Sequence, residues 1–161
     1  MANQLDHLKL ILNLNERLFI NALAGVTDEQ AAERISDHNN PLIWLATHTA
    51  WARYNIAAFL GKPGQNPYNG MFEGFKPYDK SMKWDTLEKI KKEWATASTL
   101  IKEGLETVSA EHLAADAPFK NPGGDSTMSG TLAFLAQHES YDIGQMAFLK
   151  KFHTKEAMSY N

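Results

Sequence analysis

Four long stretches of the chain carry apolar residues at every third or fourth position, and this feature restricts the possible folds more than any other. Helices with one apolar face must bury it against each other, and four of them can do so as a bundle. No stretch shows the alternation of apolar and polar residues that is typical of strands. We therefore predict an all-α, four-helix bundle with helices at about 3–23, 41–60, 84–108 and, from a start between 126 and 129, to about 152.

Local start and stop signals delimit these helices. Asn40 is the expected N-cap of the second helix, with Pro41 as its first residue, and Gly61-Lys62-Pro63 ends it. Thr27-Asp28-Glu29-Gln30 has the pattern of a capping box and predicts a short additional helix. Residues 109–115 predict a second short helical segment after the third long helix.

The connection between the second and third long helices sets the predicted order of the bundle. Residues 61–81 include four glycines and three prolines, so we expect a loop, and its aromatic residues indicate that it packs on the helices: Tyr68, Phe72, Phe75 and Tyr78. About 20 extended residues can span about 65 Å, whereas a 20-residue helix is about 30 Å long. The loop can therefore cross the bundle and leave these two helices parallel, which gives an up-down-down-up order.

Composition excludes several kinds of site. The 161 residues suit one domain over 1–161, and a formal net charge of −3 indicates no basic surface for nucleic acid. Without cysteine the chain has no disulfide, no thiolate metal site and no cysteine nucleophile. It also shows no signal-peptide pattern and no apolar run of about 20 residues. We therefore expect a cytoplasmic protein that binds neither nucleic acid nor membranes.

Three helices have a polar residue in the middle of an otherwise apolar face. The last helix places His138 and Asp142 there, one turn apart. The first helix places Asn15 there, and the second places His48 between two bulky neighbours, Trp44 and Trp51. Burying an imidazole or a carboxylate without a partner costs several kcal/mol, so these groups require something that satisfies them.

Two interpretations of the histidines follow. In the first, His48, His138 and Asp142 hold one divalent ion and leave coordination positions open, as catalytic sites do. Two imidazoles and a carboxylate suit Zn²⁺, Ni²⁺, Fe²⁺ or Mn²⁺. In the second, each histidine is a hydrogen-bonded part of the core, and His138 and Asp142 form an i,i+4 pair within their helix.

Two segments resemble the DinB-like superfamily: Asn-Pro-Leu-Ile-Trp-Leu-Ala-Thr-His-Thr-Ala (40–50) and His-Glu-Ser-Tyr-Asp-Ile-Gly-Gln-Met (138–146). The resemblance spans nearly the whole chain and implies an up-down-down-up four-helix bundle, which in many members has a divalent-metal site of three histidines. It implies His48 and His138 as two ligands, with Asp142 where a third histidine is usual. Members that act on mycothiol adducts resemble this chain in using one carboxylate, which favours a harder metal.

The same resemblance implies a metal-dependent thiol S-transferase or hydrolase. A low-molecular-weight thiol, such as glutathione or bacillithiol, or a water would attack an electrophilic small molecule. The candidates for orienting the nucleophile are Glu139, Asn15 and Gln145, and the expected walls of the substrate pocket are Trp44, Trp51 and Tyr141. Two alternatives remain: a stress-related bundle that binds metal or an apolar ligand without turnover, and a bundle whose metal site has degenerated.

Two further features of the last helix leave alternatives open. Glu139 lies about 100° around the helix from His138, so it is either part of the site or a solvated or interhelical charge. A strip of small residues lies on the face opposite the histidine: Ser129, Ala133, Ala136, Ser140, Gly144 and Ala147. Another backbone can approach such a strip closely, either from a helix of the same chain or from a second copy, and we favour a homodimer.

Overall fold

The structure, a computed structural model, describes residues 4–161. It contains six helices within this range: α1 (Gln4–Leu23), α2 (Asp28–Ala32), α3 (Leu42–Phe59), α4 (Leu87–Thr107), α5 (Ala110–Ala114) and α6 (Met128–Thr154). The same residues include no β-strand, only an isolated bridge between Asp116 and Thr127. The predicted all-α class is therefore confirmed. Asn3, the expected first residue of the first helix, lies outside the described residues.

Hydroxyl side chains begin most of the helices. The side chain of the N-cap residue accepts a hydrogen bond from the backbone N–H three residues later, which satisfies one of the free donors of the first turn. This pattern starts α2, α4, α5 and α6, at Thr27, Thr86, Ser109 and Thr127. At Thr27 the predicted capping box is complete, because Gln30 also accepts from the Thr27 backbone N–H. Both predicted short helices are present.

Two predicted helix starts need correction. Pro41, rather than Asn40, is the N-cap of α3, since its backbone is extended and its carbonyl already accepts from the N–H groups of Trp44 and Leu45. The third long helix begins at Leu87 and not near residue 84. Trp84 instead belongs to the preceding loop, where its ring stacks on Tyr78 at a centroid distance of 6.0 Å.

The core consists of two apolar clusters, one near each end of the helices. One cluster joins the start of α1 and of α6 to the ends of α3 and α4, through residues such as Leu8, Leu132, Ile56 and Ile101. The other joins the end of α1 and of α6 to the starts of α3 and α4, through residues such as Phe19, Met146, Leu45 and Ile90. Each cluster therefore contains residues of all four long helices.

The connection from α3 to α4 packs on the second of these clusters. Tyr68 and Phe72 are buried there, as predicted for a loop that contacts the bundle. Phe75 does not fit that prediction, because its side chain is fully exposed and its backbone has a positive φ of 58°. Among residues 4–161, no helix combines the length and the apolar character needed to cross a membrane.

Candidate metal centre

Asp142 on α6 and His48 on α3 face each other across the contact between the two helices. His48 Nδ1 lies 2.9 Å from Asp142 Oδ2, which is hydrogen-bond distance. The hydroxyl of Thr49 donates to the same carboxylate oxygen at 3.4 Å. Asp142 is 5% exposed and His48 is 15% exposed. The carboxylate is thus held at the inner side of the site by α3.

His138 brings a second imidazole to this carboxylate. Its Nδ1 atom is 3.7 Å from Asp142 Oδ2, too far for a hydrogen bond, so the i,i+4 hydrogen bond considered from the sequence is not formed. This nitrogen is buried and has no hydrogen-bond partner, although the side chain as a whole is 31% exposed. A buried unsatisfied nitrogen aimed at a carboxylate is what a bound cation would satisfy.

The three groups meet the geometric requirement for one ion. One potential ligand atom from each of His48, His138 and Asp142 lies within 4.8 Å of the others. Ligands about 2.0–2.1 Å from a tetrahedral ion are about 3.3 Å apart, so small side-chain movements bring these atoms to coordination distance. The three protein ligands lie on one side, and His138 is in contact with solvent. The remaining coordination positions of an ion would therefore be accessible to water or substrate. The residues present therefore fit a divalent metal.

Burial acts on the titration of His138 in the direction that favours coordination. Desolvation of its imidazole lowers the pKa of His138, and the neighbouring His48 lowers it further, whereas Asp142 opposes both effects. The result favours the neutral imidazole, which is the form that binds a metal.

Aromatic side chains surround His48 on the α3 side of the site. Trp44 stacks on its ring at a centroid distance of 4.7 Å, and Phe72 from the crossover loop contacts it edge-on at 5.1 Å. Trp51 lies 5.6 Å away in a tilted orientation. Tyr141 is placed differently, since it is 62% exposed and lines an outer groove with Gly144 and Gln145, among others.

The three residues expected to orient a nucleophile fall into two places. Gln145 is near the cluster, where its amide donates to Asp142 Oδ1 at 3.5 Å. Glu139 and Asn15 lie in a separate buried network, in which Arg53 donates to both carboxylate oxygens of Glu139 at 3.1 and 2.9 Å. Asn15 Nδ2 donates to Glu139 Oε2 at 3.3 Å. Glu139 is thus an interhelical charge and not a solvated one.

Comparison with known proteins agrees with the sequence motifs. The sequence profile of the DinB superfamily matches residues 11–146. The chain belongs to the DinB superfamily. A crystal structure described as the conserved protein of locus from Enterococcus faecalis has the same fold, with a TM-score of 0.73 and 16% sequence identity. That alignment covers 97% of this chain and 100% of the other. No curated protein matches this chain.

The sequence interpretation of this DinB-superfamily site missed Arg53. Arg53 is 1% exposed, donates through Nε to Ser98 and stacks over Trp94 at 4.0 Å. A signal for it exists in the sequence, because it is the only Lys, Arg, Asp or Glu in the 18 residues of α3. A single charge in a helix that is otherwise largely apolar requires a buried partner, and Glu139 provides it.

Part of the small-residue strip on α6 is covered by α1. Asn15 Nδ2 donates to the carbonyl of Ala136 at 3.1 Å, and the hydroxyl of Ser140 donates to Asn15 Oδ1 at 3.0 Å. Gly144 remains exposed, with no heavy atom near the position of an added Cβ. A helix of the same chain therefore contacts the middle of the strip, at Ala136 and Ser140, whereas Ala133 and Gly144 are exposed.

Proposed function

We propose that this protein is a divalent-metal-dependent enzyme whose ion is held by His48, His138 and Asp142. The observation that carries the proposal is the buried, unpartnered Nδ1 of His138, aimed at the carboxylate that His48 also contacts. The large majority of buried side-chain polar atoms have a hydrogen-bond partner in the protein or in ordered water. His138 Nδ1 lacks such a partner and is part of a half-open cluster of three ligands.

The site suits attack by a thiol or a water on an electrophilic small molecule. When bound, a divalent ion would lower the pKa of such a nucleophile and supply it in reactive form at neutral pH. Gln145 would orient the Asp142 carboxylate, and the walls formed by Trp44 and Trp51 would exclude water and bind the apolar part of the substrate. A thiol would come from a low-molecular-weight cosubstrate, since the chain has no cysteine.

The proposal assumes a particular scaffold. We infer one domain over 1–161 with the long helices in up-down-down-up order, supported by the pairing of helix ends in the two core clusters. The order places α3 and α6, which carry the ligands, side by side. The exposed Gly144 and the neighbouring aromatic side chains of Tyr141 and Phe148 support a homodimer through the second half of the small-residue strip.

The test is metal binding by the tag-free protein and by His48→Ala. We expect close to one equivalent of a divalent ion by elemental analysis, or after titration with Zn²⁺, Ni²⁺, Mn²⁺ and Fe²⁺, and loss of that ion in His48→Ala. His38→Ala is the matched control, because His38 is exposed in a turn before α3. Absence of binding in the unmodified protein under all four ions would contradict the proposal.

The hydrogen bond between His48 and Asp142 favours a second candidate, a bundle that binds a metal or an apolar ligand without turnover. At 2.9 Å His48 Nδ1 and Asp142 Oδ2 already satisfy each other, so this contact does not require a metal-activated nucleophile. The two functions are separated by incubating the metal-loaded protein with a model electrophile and either glutathione or bacillithiol, and by a parallel panel of hydrolysable esters. Metal binding without product in either assay would favour the non-catalytic function.

A further inference from the structure

The Arg53–Glu139 ion pair is the most deeply buried charged contact described in residues 4–161. The two side chains are 1% and 0% exposed, and one guanidinium nitrogen contacts both carboxylate oxygens. The other guanidinium nitrogens donate to Ser98 Oγ at 2.7 Å and to the carbonyl of Leu12 at 3.2 Å. Each group therefore has defined partners, and the pair has little freedom to change its geometry.

This network joins the four long helices at one level of the bundle. Arg53 comes from α3 and Glu139 from α6, while Leu12 belongs to α1 and Ser98 to α4. Asn15 adds a second contact between α1 and Glu139. A displacement of α6 relative to any of the other three helices would break at least one of these hydrogen bonds.

The ion pair connects the same two helices that carry the metal ligands. Arg53 follows His48 by five residues on α3, which is about 7.5 Å along the axis, and Glu139 precedes Asp142 by three residues on α6, which is about 4.5 Å. The His48–Asp142 contact and the Arg53–Glu139 contact are thus successive cross-links between antiparallel helices. Two such links determine both the rotation and the axial position of α6 on α3, whereas one link leaves a pivot.

The tolerance of a metal site makes that constraint necessary. Ligands must be held within about 0.5 Å of their working positions. A helix rotation of 20° moves an atom about 6 Å from the axis by about 2 Å, given the outer radius of a helix with its side chains. Apolar contacts such as those of Met146 and Leu149 are non-directional and do not by themselves prevent such a rotation.

We propose that Arg53 and Glu139 form a positioning pair for the metal centre, which fixes α6 so that His138 and Asp142 face His48. The inference rests on the proposed function for the identity of what is bound. It assigns Glu139 a place beside the site and not a role in proton transfer, because its carboxylate is fully engaged by Arg53 and Asn15.

The test replaces the pair by apolar residues, in the double variant Arg53→Met with Glu139→Leu. Apolar replacement of both partners of a buried ion pair is often neutral or stabilising, so the metal-free double variant should melt at or above the temperature of the unmodified protein. Its affinity for Zn²⁺ by isothermal titration calorimetry should nevertheless fall about 10- to 100-fold, the usual cost of removing a group that orients a ligand. An unchanged affinity in a folded double variant would overturn the proposal.

Two further variants keep the result interpretable. Arg53→Lys keeps the charge but not the guanidinium geometry. We therefore expect its Zn²⁺ affinity to fall by about 3- to 10-fold, less than the 10- to 100-fold loss expected for the double variant. Equal affinity of Arg53→Lys and the unmodified protein would count against the proposal even if the double variant did not fold. The control is Glu16→Gln with Lys102→Met, which removes an exposed ion pair between α1 and α4 and should leave affinity unchanged.

A final measurement separates this proposal from the function on which it rests. If the unmodified protein binds no divalent ion, the proposed function fails. The positioning role is then tested in the metal-free protein, through the contact between His48 and Asp142. Long-range ¹H–¹⁵N spectra report the hydrogen bond between His48 and Asp142, and the double variant should lose or broaden that signal. Identical histidine spectra in the two proteins would overturn the positioning role independently of any metal.

Discussion

Two polar cross-links between α3 and α6 differ in how completely their groups are satisfied. Around Arg53 and Glu139 the side chains are 1% and 0% exposed, and both have several hydrogen-bond partners. Around Asp142 the two imidazoles are 15% and 31% exposed, and the inner nitrogen of His138 has no partner. The same helices thus carry a closed polar cluster and, about a turn away, an open one.

The difference separates structure from function in this fold. A closed buried cluster has no unused hydrogen-bonding group to offer a ligand. Its contribution is to specify one arrangement of the helices. An open cluster keeps part of its hydrogen-bonding capacity unused and accessible, which costs stability unless a ligand or ion is bound. Stability measurements on variants of the two clusters test this contrast.

Breaking the closed cluster from one side should have the largest effect. Glu139→Leu leaves the Arg53 guanidinium buried without its counter-charge, and we expect the free energy of unfolding to fall by about 3–5 kcal/mol. Urea denaturation measures this loss. A fall of less than about 1 kcal/mol, within the range of an exposed ion pair, would show that the buried pair is not a closed structural unit.

Binding of Zn²⁺ in the open cluster should have the next largest effect, and it should raise the free energy of unfolding. At a free Zn²⁺ concentration 100 times the dissociation constant, binding adds about 2.7 kcal/mol of stability. For a chain of this length that raises the melting temperature by about 5–11 °C. Differential scanning fluorimetry with and without the ion measures the shift, and His48→Ala should show none of it.

The same shift should depend on pH in a defined direction. Protons compete with the metal for imidazole nitrogen, and burial lowers the pKa of His138, so this imidazole stays neutral at pH 7. The Zn²⁺-induced shift should be complete at pH 7.5 and decline only at a pH below the range in which ordinary histidines become protonated, because the pKa of His138 is lowered. A shift that persists unchanged at pH 5 would place the ion on carboxylates rather than on these histidines.

Removing a neutral member of the closed cluster should cost less than removing its charge. Asn15→Ala loses the amide contacts to Ala136 and Glu139, and we expect about 1–2 kcal/mol of destabilisation from the groups left without a partner. Asn13→Ala on the exposed side of α1 is the matched control and should stay within about 0.5 kcal/mol. Equal effects of the two alanine variants in urea would contradict the assignment of Asn15 to the network.

Removing an exposed charge should have the smallest effect on the free energy of unfolding. The Glu16–Lys102 ion pair joins α1 to α4 with its ends 29% and 54% exposed. Lys102→Met should change the free energy of unfolding by less than about 1 kcal/mol, and added salt should reduce even that effect. A loss comparable to that of Glu139→Leu would mean that burial does not distinguish the two ion pairs.

Much of the fold and part of the candidate site could be predicted from the sequence. Periodicity and capping located the helices to within a few residues, because both depend on interactions between near neighbours in the chain. His48, His138 and Asp142 were recognisable as polar residues on apolar faces, and the match over residues 11–146 confirms the resemblance to the DinB superfamily. The sequence did not specify where the aromatic side chains lie relative to His48: Trp44 and Trp51 contact its ring, whereas Tyr141 lines an outer groove.

Side-chain spacing along a single element specifies which segments become helices and which of their faces carry polar residues to be buried. Which of the buried groups meet depends instead on how the helices pack against each other. Arg53 and Glu139 are 86 residues apart, and His48 and Asp142 are 94 apart. Spacing within a helix does not specify its rotation against another helix. That rotation follows from packing all four helices together, and it leaves Glu139 enclosed and His138 open.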